Sequence, residues 1–423
     1  MNRRVVVTGL GVIAPNGNGL KEFEAALRAG KSGIRFQPRQ EEAKFGCQVG
    51  GIPQDYDKLT KDYFTEEDLY AMNEAMIYSG MVAMDAWKDA GFDIPDPEDD
   101  NVNWDAGAII GTGLPGVDTL STVIPKVDAG RTRRMGSTIV EQTMASSVTA
   151  KVTGFLALGN QVTTNSSACS TGTEAIIMGY QRIRSGLADR MICGGVESSA
   201  IYVWGSFDSM KVLNVEHNHE PEKASRPMSA STAGFIPGSG GGVLLLESLE
   251  SAEKRGARIY AEVLGGDVNS GGHRLGGSMT APNATGVQNC IKLALKDADL
   301  DPARVDAING HLTGTFSDPY EINNWSLALG RGPENFPYIN STKSLIGHCL
   351  GAAGGIECVT SILELDRGFM HPSINCEDLH EKIVPYEKSV VQQCKDVEIN
   401  VIAKASFGFG DVNSCIFFEK WKG

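Results

Sequence analysis

The chain has 423 residues, 41% of them hydrophobic and 50 of them glycine, with a net charge of −14 and a pI near 5.0. That length exceeds one ordinary core and suits two similar domains or one large double domain, and the acidic balance argues against nucleic acid, whose phosphates need a basic face. No apolar run reaches membrane-spanning length. Nine cysteines, scattered without a CxxC pair in a chain that starts without a signal peptide, point to a reducing cytoplasm and away from a metal site.

In chain order, β-type runs alternate with helical patterns, the signature of an α/β architecture. The expected strands are Arg4–Thr8, Ala106–Gly111, Gln161–Thr164, Met191–Val196, Gly242–Glu247, Ala257–Leu264, Val305–Asn309, Pro337–Asn340, Asn400–Ala405 and Ser414–Glu419. The expected helices include Leu20–Ala29, Leu69–Ala90, Thr173–Ser185, Val287–Lys296, Asp318–Leu329 and Gly351–Arg367. Gly9-Leu10-Gly11 resembles the opening of a dinucleotide fingerprint, but Pro15 and Asn16-Gly17 interrupt where a phosphate-binding helix must start, so no nucleotide site is expected.

Two echoes indicate an internal repeat. Phe235–Gly242 leads into Val243–Glu247 much as Phe407–Asp411 leads into Cys415–Glu419, and Asn165-Ser166-Ser167 matches Asn340-Ser341-Thr342 before a helix. Two halves of one topology, 1–250 and 251–423, explain both; chance likeness of glycine-rich turns is the alternative.

Cys169, in Asn165-Ser166-Ser167-Ala168-Cys169-Ser170-Thr171-Gly172, stands between an expected strand and an expected helix. The unpaired N–H groups and dipole of a helix N-terminus favour a thiolate, so a depressed pKa and a nucleophile are expected there; a small buried hydrophobe is the other reading. Of seven histidines, His217, His219, His273, His371 and His380 fall in loop-like contexts and are expected to be structural. His311 follows a strand and opens a hydroxyl-rich turn, and His348 sits in a tight glycine turn after Lys343. With Cys169 they outline a chemistry: a thiolate accepts an acyl group, two neutral imidazoles hold an enolate oxygen, and a lysine favours loss of carbon dioxide.

At these residues the chain resembles the elongating β-ketoacyl-acyl-carrier-protein synthases, condensing enzymes of the thiolase superfamily. The likeness runs from Arg3–Val12 through Ala168–Gly172, Cys193–Glu197, Ser225-Arg226-Pro227 and Lys254–Glu262 to Lys343–His348, Ala352-Ala353-Gly354 and Gly408-Phe409-Gly410. It implies a thiolase-like fold, two pseudo-repeated halves in a layered α-β-α-β-α arrangement, the first carrying the cysteine and the second both histidines and the lysine. It implies that Cys169 is the acyl acceptor, that His311, His348 and Lys343 complete the catalytic set, and that Glu357 supports them. It implies further that Thr313 and Thr315 hold the phosphopantetheine arm of an acyl carrier protein and that no cofactor is bound. The resemblance also implies that Phe409 gates the site and shares an oxyanion hole with Cys169, that Leu114 lines the acyl pocket, and that Lys211, Arg133 and Arg134 take part in carrier docking.

The function implied is decarboxylative Claisen condensation of the acyl group on Cys169 with malonyl carrier protein in fatty-acid elongation, by a homodimer. The alternative is the ketosynthase subunit of a type II polyketide (polyene-like) synthase, a heterodimer with a chain-length factor; an inactive chain-length-factor-like scaffold is the non-enzyme reading. Four departures bear on this. Leu312 replaces a glycine beside the first histidine, Met228–Ala233 replaces a charged run, Asp411 replaces a glycine after the gate, and Thr65–Ala71 lacks the basic residues of the docking helix.

Overall fold

The order of the strands carries the architecture. The computed structural model describes residues 2–423. Its main strands are β1 (Val5–Ala14), β2 (Ala106–Gly111), β3 (Val162–Thr163), β4 (Arg190–Glu197), β5 (Gly240–Ser248), β6 (Ala261–Ser270), β7 (Ala307–Asn309), β8 (Tyr338–Asn340), β9 (Val401–Gly408) and β10 (Val412–Lys420). They hydrogen-bond in the order β8-β7-β9-β10-β6-β1-β5-β4-β2-β3, with the short strand Gly17–Asn18 attached to β1. Read outward from β1 and from β6, the two runs are the same, five positions apart. The senses agree too: β3, β2 and β4 are mutually parallel, as are β8, β7 and β9, and the remaining pairings are antiparallel. β1 and β6 join the runs antiparallel, Val5 opposite Val263. The strand-and-turn echoes read from sequence fall in equivalent slots, β5 with β10 and β3 with β8.

Three helical layers cover the two faces of each run. The helices Glu74–Asp89 and Ser147–Leu156 close the outer side of the first, around Val82, Trp87, Ile110 and Leu245. Ala284–Asp297 and Asp318–Leu329 close the outer side of the second, around Ile291, Trp325 and Phe417. Between the runs lie Thr171–Arg184 and Ala353–Arg367, packed with Leu244 and Ile416. Because both faces are covered, β1, β4, β5 and β9 read as near-continuous small and apolar residues rather than as alternation. Among the described residues no helix is long and apolar enough to cross a membrane.

Differences from the expected elements have local causes. The single helix expected over Leu69–Ala90 is two, Glu66–Ala71 and Glu74–Asp89: Met72 is extended, and Asn73 starts the second by accepting from Met76 N–H at 2.9 Å. The first strand runs to Ala14, through Gly9 and Gly11. A Cβ at Gly11 would stand 1.9 Å from Val82 O, so this glycine lets the outer helix approach the strand rather than cradle a phosphate. Residues 257–260 approach β1 outside the ladder, Tyr260 N–H donating to Val7 O at 2.9 Å, and β6 starts only at Ala261.

The central helices depend on close backbone approach. A Cβ at Gly355 would meet Gly242 O at 2.1 Å and Gly195 N at 2.7 Å, whereas one at Gly154 meets nothing within 4 Å. Gly355→Ala is therefore expected to cost about 3 kcal/mol through overpacking against backbone. Gly154→Ala, in the last turn of its helix and open, is expected to gain about 0.5 kcal/mol. Thermal unfolding of the two variants side by side measures both shifts, which must have opposite sign.

Candidate active site

Cys169 lies on a 3-10 turn, Ala168–Ser170, that runs directly into the helix Thr171–Arg184. Ala168 adopts φ 51°, left-handed backbone that a non-glycine residue rarely takes, and Thr171 braces it: Thr171 Oγ1 donates to Ala168 O at 2.7 Å and accepts from Ser167 N–H at 2.8 Å. Ser170 ties this turn to the other half, its hydroxyl lying 3.1 Å from Ser406 O and 3.0 Å from Val412 O. Gly408 then passes so close that a Cβ would meet Cys169 N at 3.0 Å.

The second half brings the histidines to the same place. The Cys169 sulfur and one ring nitrogen each of His311 and His348 lie within 4.8 Å of one another, and the two rings stand edge to face with centroids 5.3 Å apart. Glu321 sets the His311 backbone, its carboxylate accepting from His311 N–H and Leu312 N–H, both at 2.7 Å. Asp318 does the same one step on, accepting from Thr313 N–H at 3.0 Å and Gly314 N–H at 3.1 Å. His348 Nδ1 accepts from Leu350 N–H at 3.2 Å, which places its proton on Nε2; that atom is buried without a hydrogen-bond partner. Lys343 and Glu357 form a fully buried ion pair behind the rings.

Burial controls the electrostatics. Desolvation pushes both imidazoles well below the ordinary histidine range, and the Lys343 charge adds to it, so both are neutral at pH 7. The expectation of a depressed Cys169 pKa is corrected here. Burial pushes the thiol up to about 11, outweighing the opposing pull of Lys343 and of the Phe409 and Cys169 backbone N–H groups. The donor set of one sulfur and two imidazoles would suit a soft cation, but the adjacent lysine charge opposes one.

These groups open on a cavity of about 400 Å³ walled by Phe207, Phe235, Phe316, Phe407 and Phe409, with Thr313 and Thr315 on its rim, their hydroxyls 3.0 Å apart. Leu114 stands outside this wall and is 56% exposed; its backbone is held by the buried carboxylate of Glu197, which also accepts from Gly113 and Gly351 N–H. Lys211 is exposed next to Val212, a wall residue, whereas Arg133 and Arg134 are exposed on the turn Thr132–Arg134, away from the wall. The acidic start of Glu66–Ala71 has a local purpose, Thr65 and Asp68 forming a reciprocal cap.

Leu312 is not beside the reacting groups as expected. At φ 20° its side chain turns away and is fully buried among Ile308, Ile322 and Trp325. Asp411 is also fully buried. Its carboxylate accepts from His273 N–H at 3.0 Å, Asn283 N–H at 3.0 Å and Asn283 Nδ2 at 2.9 Å, joining the Phe409 loop to the segment 271–283. His273 adds Nε2 at 3.0 Å from Gly410 O, so it touches this loop rather than standing apart. Sequence reading missed Asp318, Glu321 and Glu197; the first two are acids soon after the His311 turn, a spacing that lets a helix start reach back to the preceding N–H groups.

Models of the β-ketoacyl synthase N-terminal and C-terminal domains match residues 2–252 and 260–377. The chain belongs to the β-ketoacyl synthase family. It is an acyltransferase with the thiolase-like fold of that family. It is 34% identical over 428 residues to the chloroplastic 3-oxoacyl-[acyl-carrier-protein] synthase I of Arabidopsis thaliana, covering 99% of this chain and 87% of that one. It is 34% identical over 425 residues to 3-oxoacyl-[acyl-carrier-protein] synthase 1 of Haemophilus influenzae, covering 100% of both. Among solved structures, the ishigamide ketosynthase/chain length factor superposes with a TM-score of 0.89 at 29% identity, 100% of each chain covered. A type II polyketide synthase acyl-carrier protein in complex with its ketosynthase bound to the hexaketide gives 0.87 at 28%, again over 100% of both chains.

Two outcomes follow for this β-ketoacyl synthase. Alkylation of Cys169 should rise with pH well past the range of a free cysteine, because only the thiolate reacts, and Lys343→Met should push the midpoint higher still by removing a charge that favours the thiolate. Iodoacetamide kinetics against pH, with Cys169→Ala as the blank, measure this. Asp411→Ala removes three hydrogen bonds, the two to Asn283 being buried, and should destabilise the fold by about 3 kcal/mol, read by chemical denaturation.

Proposed function

We propose that this β-ketoacyl synthase extends an acyl chain by two carbons from malonyl carrier protein in fatty-acid synthesis. The observation that carries the reading is the convergence of one thiol and two neutral imidazoles on a single apolar cavity. The acyl carbonyl carbon bonds to Cys169 Sγ, the carrier thiol leaves with the proton, and the free carrier departs. Malonyl carrier then enters, its arm held at Thr313 and Thr315. Its carboxylate leaves as carbon dioxide, and the enolate oxygen left behind accepts N–H from His311 and from His348, whose Nε2 proton is unengaged. The enolate carbon attacks the Cys169 thioester carbonyl, whose oxygen sits at the Phe409 and Cys169 backbone N–H groups. Collapse expels the thiolate and yields the 3-ketoacyl carrier product. Lys343, paired to Glu357, holds the field toward anionic states, and Phe409 acts as the gate.

Docking of an acyl carrier protein uses Lys211 with Arg133 and Arg134, the helix start at Thr65–Ala71 being acidic. The exposed apolar side chains Leu114, Leu120, Ile124 and Val127 support a dimer, in which Leu114 meets the acyl pocket from the interface side. The halves 1–250 and 251–423 act as one unit in a cytoplasmic enzyme. The second reading, a polyketide ketosynthase paired with a chain-length factor, is favoured by the 0.89 superposition on the ishigamide ketosynthase/chain length factor.

Cys169→Ala should lose both acyl-enzyme formation and condensation, measured by intact mass and by product formation from acyl and malonyl carrier proteins; retained condensation would sink the reading. Intact mass of the purified enzyme separates the two pathways, saturated acyl adducts supporting fatty-acid synthesis and conjugated polyene adducts the polyketide line.

A further inference from the structure

Strand β9 runs between two helical layers, and all its residues are buried. Alternation sends Val401, Ala403, Ala405 and Phe407 into the outer core. The other face reads Ile402, Lys404, Ser406, Gly408 and looks onto the central layer, where Ser406 Oγ lies 3.0 Å from Thr173 Oγ1 and Gly408 abuts Cys169. A lysine on that face has no route to water, and Lys404 is fully buried.

Its ammonium has three neighbours. It donates to Ala405 O and to Ser406 Oγ, the latter at 3.2 Å, and stands 3.0 Å from Glu357 Oε2. The Oε2 contact is a charge contact rather than an aligned hydrogen bond, since that oxygen has no hydrogen-bond partner. The other oxygen, Oε1, belongs to Lys343. One buried carboxylate therefore faces two buried lysines. Glu321 is buried within electrostatic reach of both lysines, but its oxygens accept from the His311 and Leu312 N–H groups, so neither lysine pairs with it directly. Two lysines therefore share Glu357 as their one directly paired carboxylate.

We propose that Lys404 is a positioning residue for the condensation: by taking one oxygen of Glu357 it leaves part of the Lys343 charge uncompensated toward His311, His348 and Cys169. The proposal rests on the condensing function above and deepens it. The groups facing the two imidazoles are Lys404 from β9, Lys343 from the helix Lys343–Ile346, Glu357 from Ala353–Arg367, Glu321 from Asp318–Leu329 and Cys169 from its turn. Both lysines push the histidines toward the neutral form that can donate N–H to an enolate without an added proton. The sign is fixed: a histidine made neutral by nearby cations stays competent as pH falls, and removing a cation brings its protonation back toward neutral pH.

The test uses Lys404→Met, which keeps the length and loses charge and hydrogen bonds, and Lys404→Gln, which loses charge but keeps an N–H for Ala405 or Glu357. In both, malonyl-carrier decarboxylation should fall about tenfold, and its acid limb should move up by about one pH unit. Histidine-labelled NMR titration should show His311 and His348 titrating higher by the same amount. Recovery of rate and acid limb in Lys404→Gln would overturn the proposal in favour of a packing role, and so would unchanged histidine titrations in either variant that folds. The NMR readout needs no substrate. If the wild-type enzyme fails to decarboxylate malonyl carrier, the function assigned above fails, while the effect of Lys404 on the imidazoles is still decided.

Discussion

Gly172 and Gly355 meet backbone to backbone, and the reacting groups are assembled because they do. A Cβ on Gly172 would stand 2.5 Å from Gly355 N. This contact seats the start of the helix that follows Cys169 against the helix carrying Glu357, in the layer shared by both halves. Only an approach of that kind lets a thiol from one half reach the imidazoles and lysines of the other. The hydroxyl-rich seam around it, with Ser170, Thr173 and Ser406, satisfies the backbone groups that such close packing would otherwise strand.

The dryness created by that packing sets the chemistry. The half-buried thiol is desolvated enough to resist ionisation, and the buried imidazoles resist protonation, so cysteine and histidines are drawn toward the same uncharged state. The lysines change the balance between them: Lys343 assists the thiolate, and both Lys343 and Lys404 penalise the imidazolium. The resting site therefore holds neutral acceptors and donors inside a positive field, an arrangement that rewards negative charge only when it appears on reacting atoms. This is preorganisation by placement of fixed charge, with no reorganisation required at the moment of reaction.

How far the sequence showed this depends on the range of the interactions. Cys169, His311 and His348 were legible because each sits in a short turn whose small and hydroxyl neighbours are consecutive in the chain. The repeat was legible because glycine-rich turns mark equivalent slots in the two runs. Leu312 was misplaced because its orientation is decided elsewhere, by the Glu321 carboxylate that holds its backbone N–H. The thiol pKa was read from the helix start alone, and local reasoning does not see the aromatic walls supplied by distant segments. Lys404 left a faint mark, a lone charge inside an apolar strand, whose meaning appears only once both faces of that strand are known to be covered.

Asp411 shows what such burial means for traffic through the site. Its carboxylate closes three hydrogen bonds between the Phe409 loop and the segment 271–283, so a displacement of either drags on the other. Parting them exchanges charge-assisted bonds, each worth about 1.5–3 kcal/mol, for contacts with incoming water. A difference of even about 3 kcal/mol confines the parted arrangement to roughly one molecule in a hundred. A carrier that needs the loop displaced must then spend contact energy on moving it, and only that rare fraction of molecules meets it ready. The cost falls equally on every such arrival, so this carboxylate sets a waiting time for the site and leaves the choice between chains to the shape of the pocket.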